Sequence, residues 1–478
     1  MRLLAAACLV LALLAGCIQT QPDDAPQPPA EVERLPAVPG FTGLPLSDLP
    51  VFAAPVLVDT VRAGGEPVVA VLPSGTILVS AHPGFTHYRP GDDPLPEELL
   101  TPYAGQSFLW RSTDHGATWT HVGLNEMEEG PRGPGAGVSD PEFTVLADGT
   151  VCTTDLEALA AASVACSLDD GRTWLTGNPL ASGGPVDRQW LASYQGELYF
   201  TANYFGPGAD FRASTDMGLT WEDRGNTPCN SDVVADARNG HLVQGCNGTG
   251  ITVSTDGGRT WSEPRAPVNA SDGGARMMTE PALDAAGNVW TAWAQGEHGL
   301  WAAGTPDEGA TWPWVFDLTP HARLGLGLAG NGTYVWPWIS AGSAGRFAVS
   351  WIGSVDDDPS ESYAGEWRVY TAFVLDATGA SPSVTVVPFT PDPIHVGPIC
   401  QQGTTCEADA ALGDPAGDRR LGDFFETTID ADGWLLGAWS NTAAAPSDVI
   451  SHPQFARQAG GVRLLADEDV GVFMPTQG

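Results

Sequence analysis

The sequence predicts an all-β protein, a β-propeller of four-stranded antiparallel blades, and three observations carry that prediction. An octapeptide of the form S/T-x-D-x-G-x-T-W recurs five times along the chain. A second pattern, a polar or acidic residue opening a short apolar strand that turns at glycine into another strand, stays in phase with it. The 478 residues include 58 glycines and 40 prolines, a composition that favours many short strands and tight turns over long helices.

The octapeptides start at residues 112, 167, 214, 254 and 305, between 40 and 55 residues apart. That period suits one propeller blade per repeat, at about 40 to 50 residues each. Strand openings stand at Glu66, Asp140, Asp187, Asp232 and Glu280, each ahead of an octapeptide. The first repeat carries an insertion, placed within HPGFTHYRPGDDPLPEELLTPYAG. Two further openings, at Trp336 and Asp423, lack the octapeptide; the first pair is followed by EWRVYTAFVLDATG and the second by GGVRLLA. The count is seven blades, or six if one of these last units is incomplete. FAAPVLVD, Phe52 to Asp59, has the shape of an outermost strand, as does WSEPRAPV after Trp261. Phe52 to Asp59 is therefore expected to complete the last blade and close the ring, hiding two strand edges.

Each octapeptide position has a structural use. Serine or threonine and aspartate can bond the turn's own amides, glycine supplies positive φ, and tryptophan folds back as an apolar plug with an indole N–H seeking an acceptor. The pairs are Asp114 and Trp119, Asp169 and Trp174, Asp216 and Trp221, Asp256 and Trp261, and Asp307 and Trp312. A catalytic centre needs different residues in different roles, so five copies of one set read as fasteners between strands. The octapeptides resemble the Asp-boxes (BNR repeats) of the sialidase-like propeller superfamily. The resemblance covers roughly residues 50 to 478 and implies that the boxes lie on peripheral turns, away from a central site.

The segment ahead of the propeller reads as an address and a tether. Arg2 precedes an apolar run, Leu3 to Leu14, and Leu14-Ala15-Gly16-Cys17 resembles a prokaryotic lipobox. That resemblance implies residues 1–17 as signal peptide, with lipid on Cys17, and an exported lipoprotein at the cell surface or in the periplasm. Residues 18–48 are proline-rich and polar, an extended tether, and 49–478 form the propeller. Six other cysteines fall into near-neighbour pairs: Cys152 and Cys166, Cys229 and Cys246, Cys400 and Cys406. The first two pairs lie within single repeats, so local disulfides are expected in an oxidising compartment; six cysteines still allow fifteen connectivities. Against 58 acidic residues there are 21 basic ones, all arginine. Such a surface repels nucleic acid and anionic lipid headgroups, leaving a lipid anchor as the membrane contact. No cofactor is implied; the acidic loop Val355 to Pro359 could hold calcium but lacks a complete ligand spacing. A monomer is expected.

Inner strands of a propeller converge on its axis, so the openings are the candidate site residues: Glu66, Asp140, Glu142, Asp187, Arg188, Asp232, Glu280, Trp336 and Asp423, with Arg62, Arg276, Arg419 and Arg420 near them. Glu66, Asp140, Glu280, Arg188, Arg420 and Asp423 are the catalytic candidates. Such a ring suits sugar hydroxyls, a cation, or paired carboxyls for glycoside hydrolysis; the same residues could instead cap strands and bond between blades. Resemblance to sialidases implies three arginines clamping a substrate carboxylate, a glutamate-activated tyrosine and an acid/base aspartate. The usual R-I-P opening of the first blade reads Gly65-Glu66-Pro67 here, an acid where a cation is wanted. Arg62, Arg188, Arg276 and Arg346 could supply charge; Tyr334, Tyr363 and Tyr370, with Glu361 or Glu366, could supply the nucleophile. His395 to Gly433 resembles the closing segments of exported sialidase-like propellers and could bring an arginine and two carboxylates to the channel mouth. Two functions follow as expectations: a carbohydrate-acting propeller, possible exo-glycosidase, or a non-catalytic one binding a glycan or surface protein.

Overall fold

The computed structural model describes residues 48–82, 107–122, 140–157, 161–176, 180–181, 186–204, 208–246, 248–267, 280–296, 298–356, 365–400, 417–444 and 450–472. Its strands form seven antiparallel sheets, each a blade of consecutive strands. The innermost strands are Gly65–Val71, Glu142–Val145, Val186–Tyr194, Val233–Ala235, Pro281–Leu283, Thr333–Ala341 and Glu426–Ile429. Every opening marked in the sequence falls in, or within three residues of, one of them. Both units without the octapeptide are complete blades.

The ring closes as expected. Val51–Phe52 and Val56–Leu57 both pair with His452–Gly460 of the seventh blade. Three details differ from the sequence reading. The third strand of the seventh blade is His452–Gly460, ahead of the GGVRLLA segment rather than within it. In the fourth blade WSEPRAPV makes only an isolated bridge, Arg265 to Ile251, because Pro264 and Pro267 on either side have no N–H for a ladder. A short helix, Thr319–Leu326, not expected from the strand pattern, links the fifth and sixth blades, started by Pro320 and stopped by Gly327 with φ 67°, a proline–glycine bracket. The proposed first-blade insertion lies almost wholly outside the described residues, as do the leader, Cys17 and the tether.

Cys152 pairs with Cys166 across adjacent strands, and Cys229 with Cys246 within the fourth blade. Cys400 is disulfide-bonded, while Cys406 lies outside the described residues. These disulfides mark an extracytoplasmic protein.

The five octapeptide turns share their serine/threonine and aspartate bonds, while the indole N–H finds the glycine carbonyl in three, Trp119, Trp221 and Trp261, and no acceptor at Trp174 and Trp312. In the first, Ser112 Oγ bonds Asp114 and accepts from the Gly116 amide at 2.9 Å. Asp114 accepts from the Thr118 amide and hydroxyl at 2.9 and 2.6 Å, and Trp119 Nε1 donates to Gly116 O at 3.1 Å. Asp169, Asp216, Asp256 and Asp307 repeat the aspartate bonds. Hydrogen bonds from the Thr118 hydroxyl and amide hold the Asp114 carboxyl down to about 2, so the turn keeps its charge at ordinary pH.

The octapeptide glycines join blades as well as strands. Cβ atoms placed on Gly116, Gly171, Gly218, Gly258 and Gly309 would meet Phe455, Leu78, Val164, Phe211 and Arg265 respectively. Each partner belongs to the preceding blade, and Gly116 on Phe455 joins the first blade to the last. The residue before the glycine is also left-handed in every copy, from Glu308 at 56° to Gly257 at 70°. Replacing Gly258, whose Cβ would lie 1.9 Å from the Phe211 ring at φ 85°, is expected to cost about 3 kcal/mol as Gly258→Ala. Gly75, equally left-handed but with nothing within 4 Å, should cost only about 1–2 kcal/mol as Gly75→Ala. Denaturation midpoints measured side by side check the difference.

Candidate functional site

Four of the openings share an unusual backbone. Glu66, Asp140, Arg188 and Trp336 have φ between 48° and 52°, a left-handed conformation that is strained for side chains of this size. In three of these blades the strand register slips at that point: between Gly65 and Val68, Asp187 and Gln189, and Val335 and Trp338. A bulge of this kind re-aims a side chain out of the ladder. Here it brings side chains of different blades together at the axis.

Blades seven, one, two and three supply an ion-paired cluster. Arg419 grips both oxygens of Asp423, with Nη2 to Oδ2 at 2.6 Å, and lies 3.7 Å from Glu66. Arg188 reaches the same Asp423 oxygen at 3.0 Å, and its amide donates to Asp140 at 3.2 Å. Glu66 accepts from the Asp423 amide and meets His82 Nε2, both at 2.9 Å. Gly422, left-handed at 77°, permits this approach, because a Cβ there would stand 2.4 Å from Glu66 Cγ. Burial, then the charges of Glu66 and Asp187, push the Asp140 carboxyl well above its usual range. Burial works against the Arg188 charge, and Asp423 and Asp140 outweigh it.

Beneath this cluster lies a well with carboxyls only. Glu142, Asp232, Glu280 and Glu426 line one cavity of about 30 Å³ with Trp338, Ser340 and Thr427. All four are buried. Glu142 Oε1 accepts from the Phe143 amide, Asp232 from Val233, Glu426 Oε2 from Val69, and Glu280 Oε1 from the Ser231 hydroxyl at 3.3 Å. No amide, hydroxyl or cation donates to Glu142 Oε2, Glu280 Oε2 or Glu426 Oε1. Burial raises Glu280 to about 8. Burial also raises Glu142 and Asp232 well above the carboxylate range, reinforced by Glu426 for Glu142 and by Glu280 for Asp232. Glu426 is raised chiefly by burial. The well holds protons at neutral pH.

The sequence candidates thus separate. Glu66, Asp140, Arg188 and Asp423 meet in the ion-paired cluster, while Glu280 belongs to the well. Arg420 turns instead to Asp418, within 3.0 Å, and Arg419 takes the axial place. Glu142, Asp232 and Trp336 come from the wider ring of openings. The two carboxylates expected from the His395 to Gly433 segment are Asp423 and Glu426; Asp423 joins the cluster and Glu426 lies in the well. Arg62 bonds Asp59 at 2.9 Å, Arg346 reaches Arg463 O, and Tyr334 and Tyr370 pack in the core beside Trp351. Among the described residues no three free arginines converge and no tyrosine joins the axial clusters; Arg276, Glu361, Tyr363, Asp357 and Asp358 lie outside them. Among the described residues no group of three or more His, Cys, Asp and Glu is arranged to hold a metal ion.

No family model matches the chain. It is similar to a curated xyloglucanase from Paenibacillus sp., 26% identical over 242 residues, which is 46% of this chain and 22% of that protein. The chain thus matches less than a quarter of that relative's length. Solved structures similar to it include YCF48 bound to D1 peptide, at 11% identity, TM-score 0.47, covering 87% of this chain and 99% of that one. Others are the Ruminococcus gnavus intramolecular trans-sialidase, at 12%, 0.40, 90% and 100%, and a Penicillium chrysogenum α-L-arabinanase, at 14%, 0.39, 88% and 98%. These likenesses carry nothing about the site, and the fold rests on the strand pairing itself.

Two outcomes follow from the geometry. Asp423→Asn leaves Arg188 and Arg419 buried with their shared partner neutralised and is expected to cost about 3–5 kcal/mol in denaturant titration. For Glu280 the folded pKa lies above the unfolded one, so its contribution to stability is complete below about 4.5 and is lost as pH climbs through about 8. The thermal midpoint should therefore fall between pH 5 and pH 8, and Glu280→Gln should flatten that fall and raise the midpoint at pH 8.

Proposed function

We propose that this chain is a carbohydrate-binding or carbohydrate-processing propeller that uses buried carboxyls at its axis, without a sialidase arginine clamp. One observation carries the reading: the axial carboxyls divide into an ion-paired set around Arg188 and Arg419 and an unpaired set in which Glu280 stays protonated at neutral pH. Glycoside hydrolysis needs such a division, one carboxyl holding a proton for the leaving oxygen and another ionised. Glu280 is the proton donor in this scheme. The arginines are already spent on Asp423, which leaves none of the described axial cations for an anionic sugar. The partial likeness to a xyloglucanase points the same way.

A second reading, a non-catalytic propeller for a glycan or protein partner, is favoured by the narrowness of the well. The carboxyls are 1% to 4% exposed around a cavity of about 30 Å³, so a sugar ring sits above them rather than among them. In either case the octapeptides are Asp-boxes, and the chain is an exported lipoprotein held by Cys17 with the propeller beyond its tether. The sequence patterns at those positions and the disulfides support both statements.

Screening aryl-glycosides and a glycan array with wild type, Glu280→Gln and Arg420→Ala separates the readings. Catalysis predicts a drop of about a hundredfold or more for Glu280→Gln and a small change for Arg420→Ala, whose side chain lies with Asp418. Glycan retention without turnover selects the binding reading. Neither hydrolysis nor retention with any glycan would remove the carbohydrate role.

A further inference from the structure

We propose that the axial well is a receptor for a primary ammonium group carried by the ligand, an amino sugar being the form that rests on the carbohydrate reading above. Glu280 Oε2, on a side chain 3% exposed, has no protein donor, and beside it Glu142 and Glu426 share a carboxyl–carboxyl hydrogen bond. An ammonium has three donors and no acceptor, matching a site whose carboxyls become acceptors alone once they ionise. Its head needs about the room of one water, and the cavity of about 30 Å³ admits it. Trp338 forms part of the wall, and an aromatic beside carboxylates is a surface for cations.

Other occupants fit less well. The chain contains no lysine, so it has no ammonium side chain of its own to fill the well. Arg188, the nearest described cation to act on Glu280, is committed to Asp423 and Asp140. Direct metal coordination requires carboxylate oxygens converging within about 2.3–2.6 Å of one point, and no such group exists among the described residues. Hydrogen bonds to an ammonium are longer, about 2.7–2.9 Å, and tolerate a wider ring. A neutral hydroxyl would fill the space but leave the carboxyls with no opposite charge as they ionise. The strongly acidic composition, a formal net charge of −37, also attracts cations.

Binding an ammonium favours the ionised carboxyls, so protons held in the empty well are released on binding. The test is calorimetric titration of the full chain at pH 7 with a glucosamine tetramer, its N-acetylated counterpart, cadaverine and calcium chloride, repeated in buffers of different ionisation enthalpy. The expected result is binding of the glucosamine tetramer with proton release, at least tenfold weaker binding of the N-acetylated tetramer, and about tenfold or greater weakening by Glu280→Gln, the loss of one charge-assisted bond. Glu280→Gln is checked for an unreduced thermal midpoint so that misfolding is not read as lost binding. Cadaverine binding without the amino sugar would uphold the ammonium well and overturn the carbohydrate role. Equal binding of both tetramers would keep the carbohydrate role and overturn the well. Calcium binding alone, or no amine binding, also overturns it.

Discussion

Closure of the ring depends on a contact between blades: a left-handed glycine in one octapeptide turn seated against a side chain of the blade before it. Phe455, Leu78, Val164, Phe211 and Arg265 are the five seats. At Gly116, Gly171 and Gly258 even a methyl group would overlap the neighbour, and at Gly218 and Gly309 it would crowd it at 3.2 and 3.0 Å. The polar half of each turn, aspartate holding threonine and serine holding the glycine amide, sets the turn so that the glycine presents its bare face. Between the fifth and sixth blades the fastening is different, with Asp284 accepting from the Gly345 amide at 2.8 Å and from Trp290 at 2.9 Å. Ser343 bonds the Leu464 carbonyl and Ala466 amide between the sixth and seventh.

Once the ring is closed, its axis becomes crowded with polar side chains that water reaches poorly. The seven inner strands deliver carboxyls from six blades, and their mutual repulsion has two remedies in one molecule. Near the openings, Arg188 and Arg419 pair with Asp423 and Glu66, while burial and its acidic neighbours still push Asp140 upward beside Arg188. Deeper, Glu142, Asp232, Glu280 and Glu426 make no ion pair and are raised in the same direction. Desolvation is the common cause, and a direct arginine pair at Asp423 is what separates the two sets. Such a sharp electrostatic boundary within one channel distinguishes this site from a uniformly capped axis.

Backbone strain is concentrated at the same place. Glu66, Asp140, Arg188 and Trp336 are bulky or charged residues in a conformation that usually falls to glycine. Strain of this kind persists only where surrounding contacts over-determine it, and the ion-paired cluster provides those contacts for three of the four. Trp336 stands apart from that network and packs in the apolar cluster that holds Leu421 and Phe425.

Local chemistry made much of the fold legible. The octapeptide's turn residues, the glycine-punctuated strand pairs and their shared period identify blades, inner strands and the closing N-terminal strand, because each is set by residues close together in the chain. The cysteine pairs joined in the first two cases for the same reason: each lies within one blade. Which openings meet was not legible, since Arg188 and Asp423 are separated by 235 positions and nothing in either neighbourhood names the other. The choice of Arg419 over Arg420 turns on which side chain the chain's path aims inward, and the two look alike in sequence. Whether a carboxyl is paired or protonated depends on burial and on its neighbours across the axis. Those are properties of the closed ring, so the tertiary structure alone decided them.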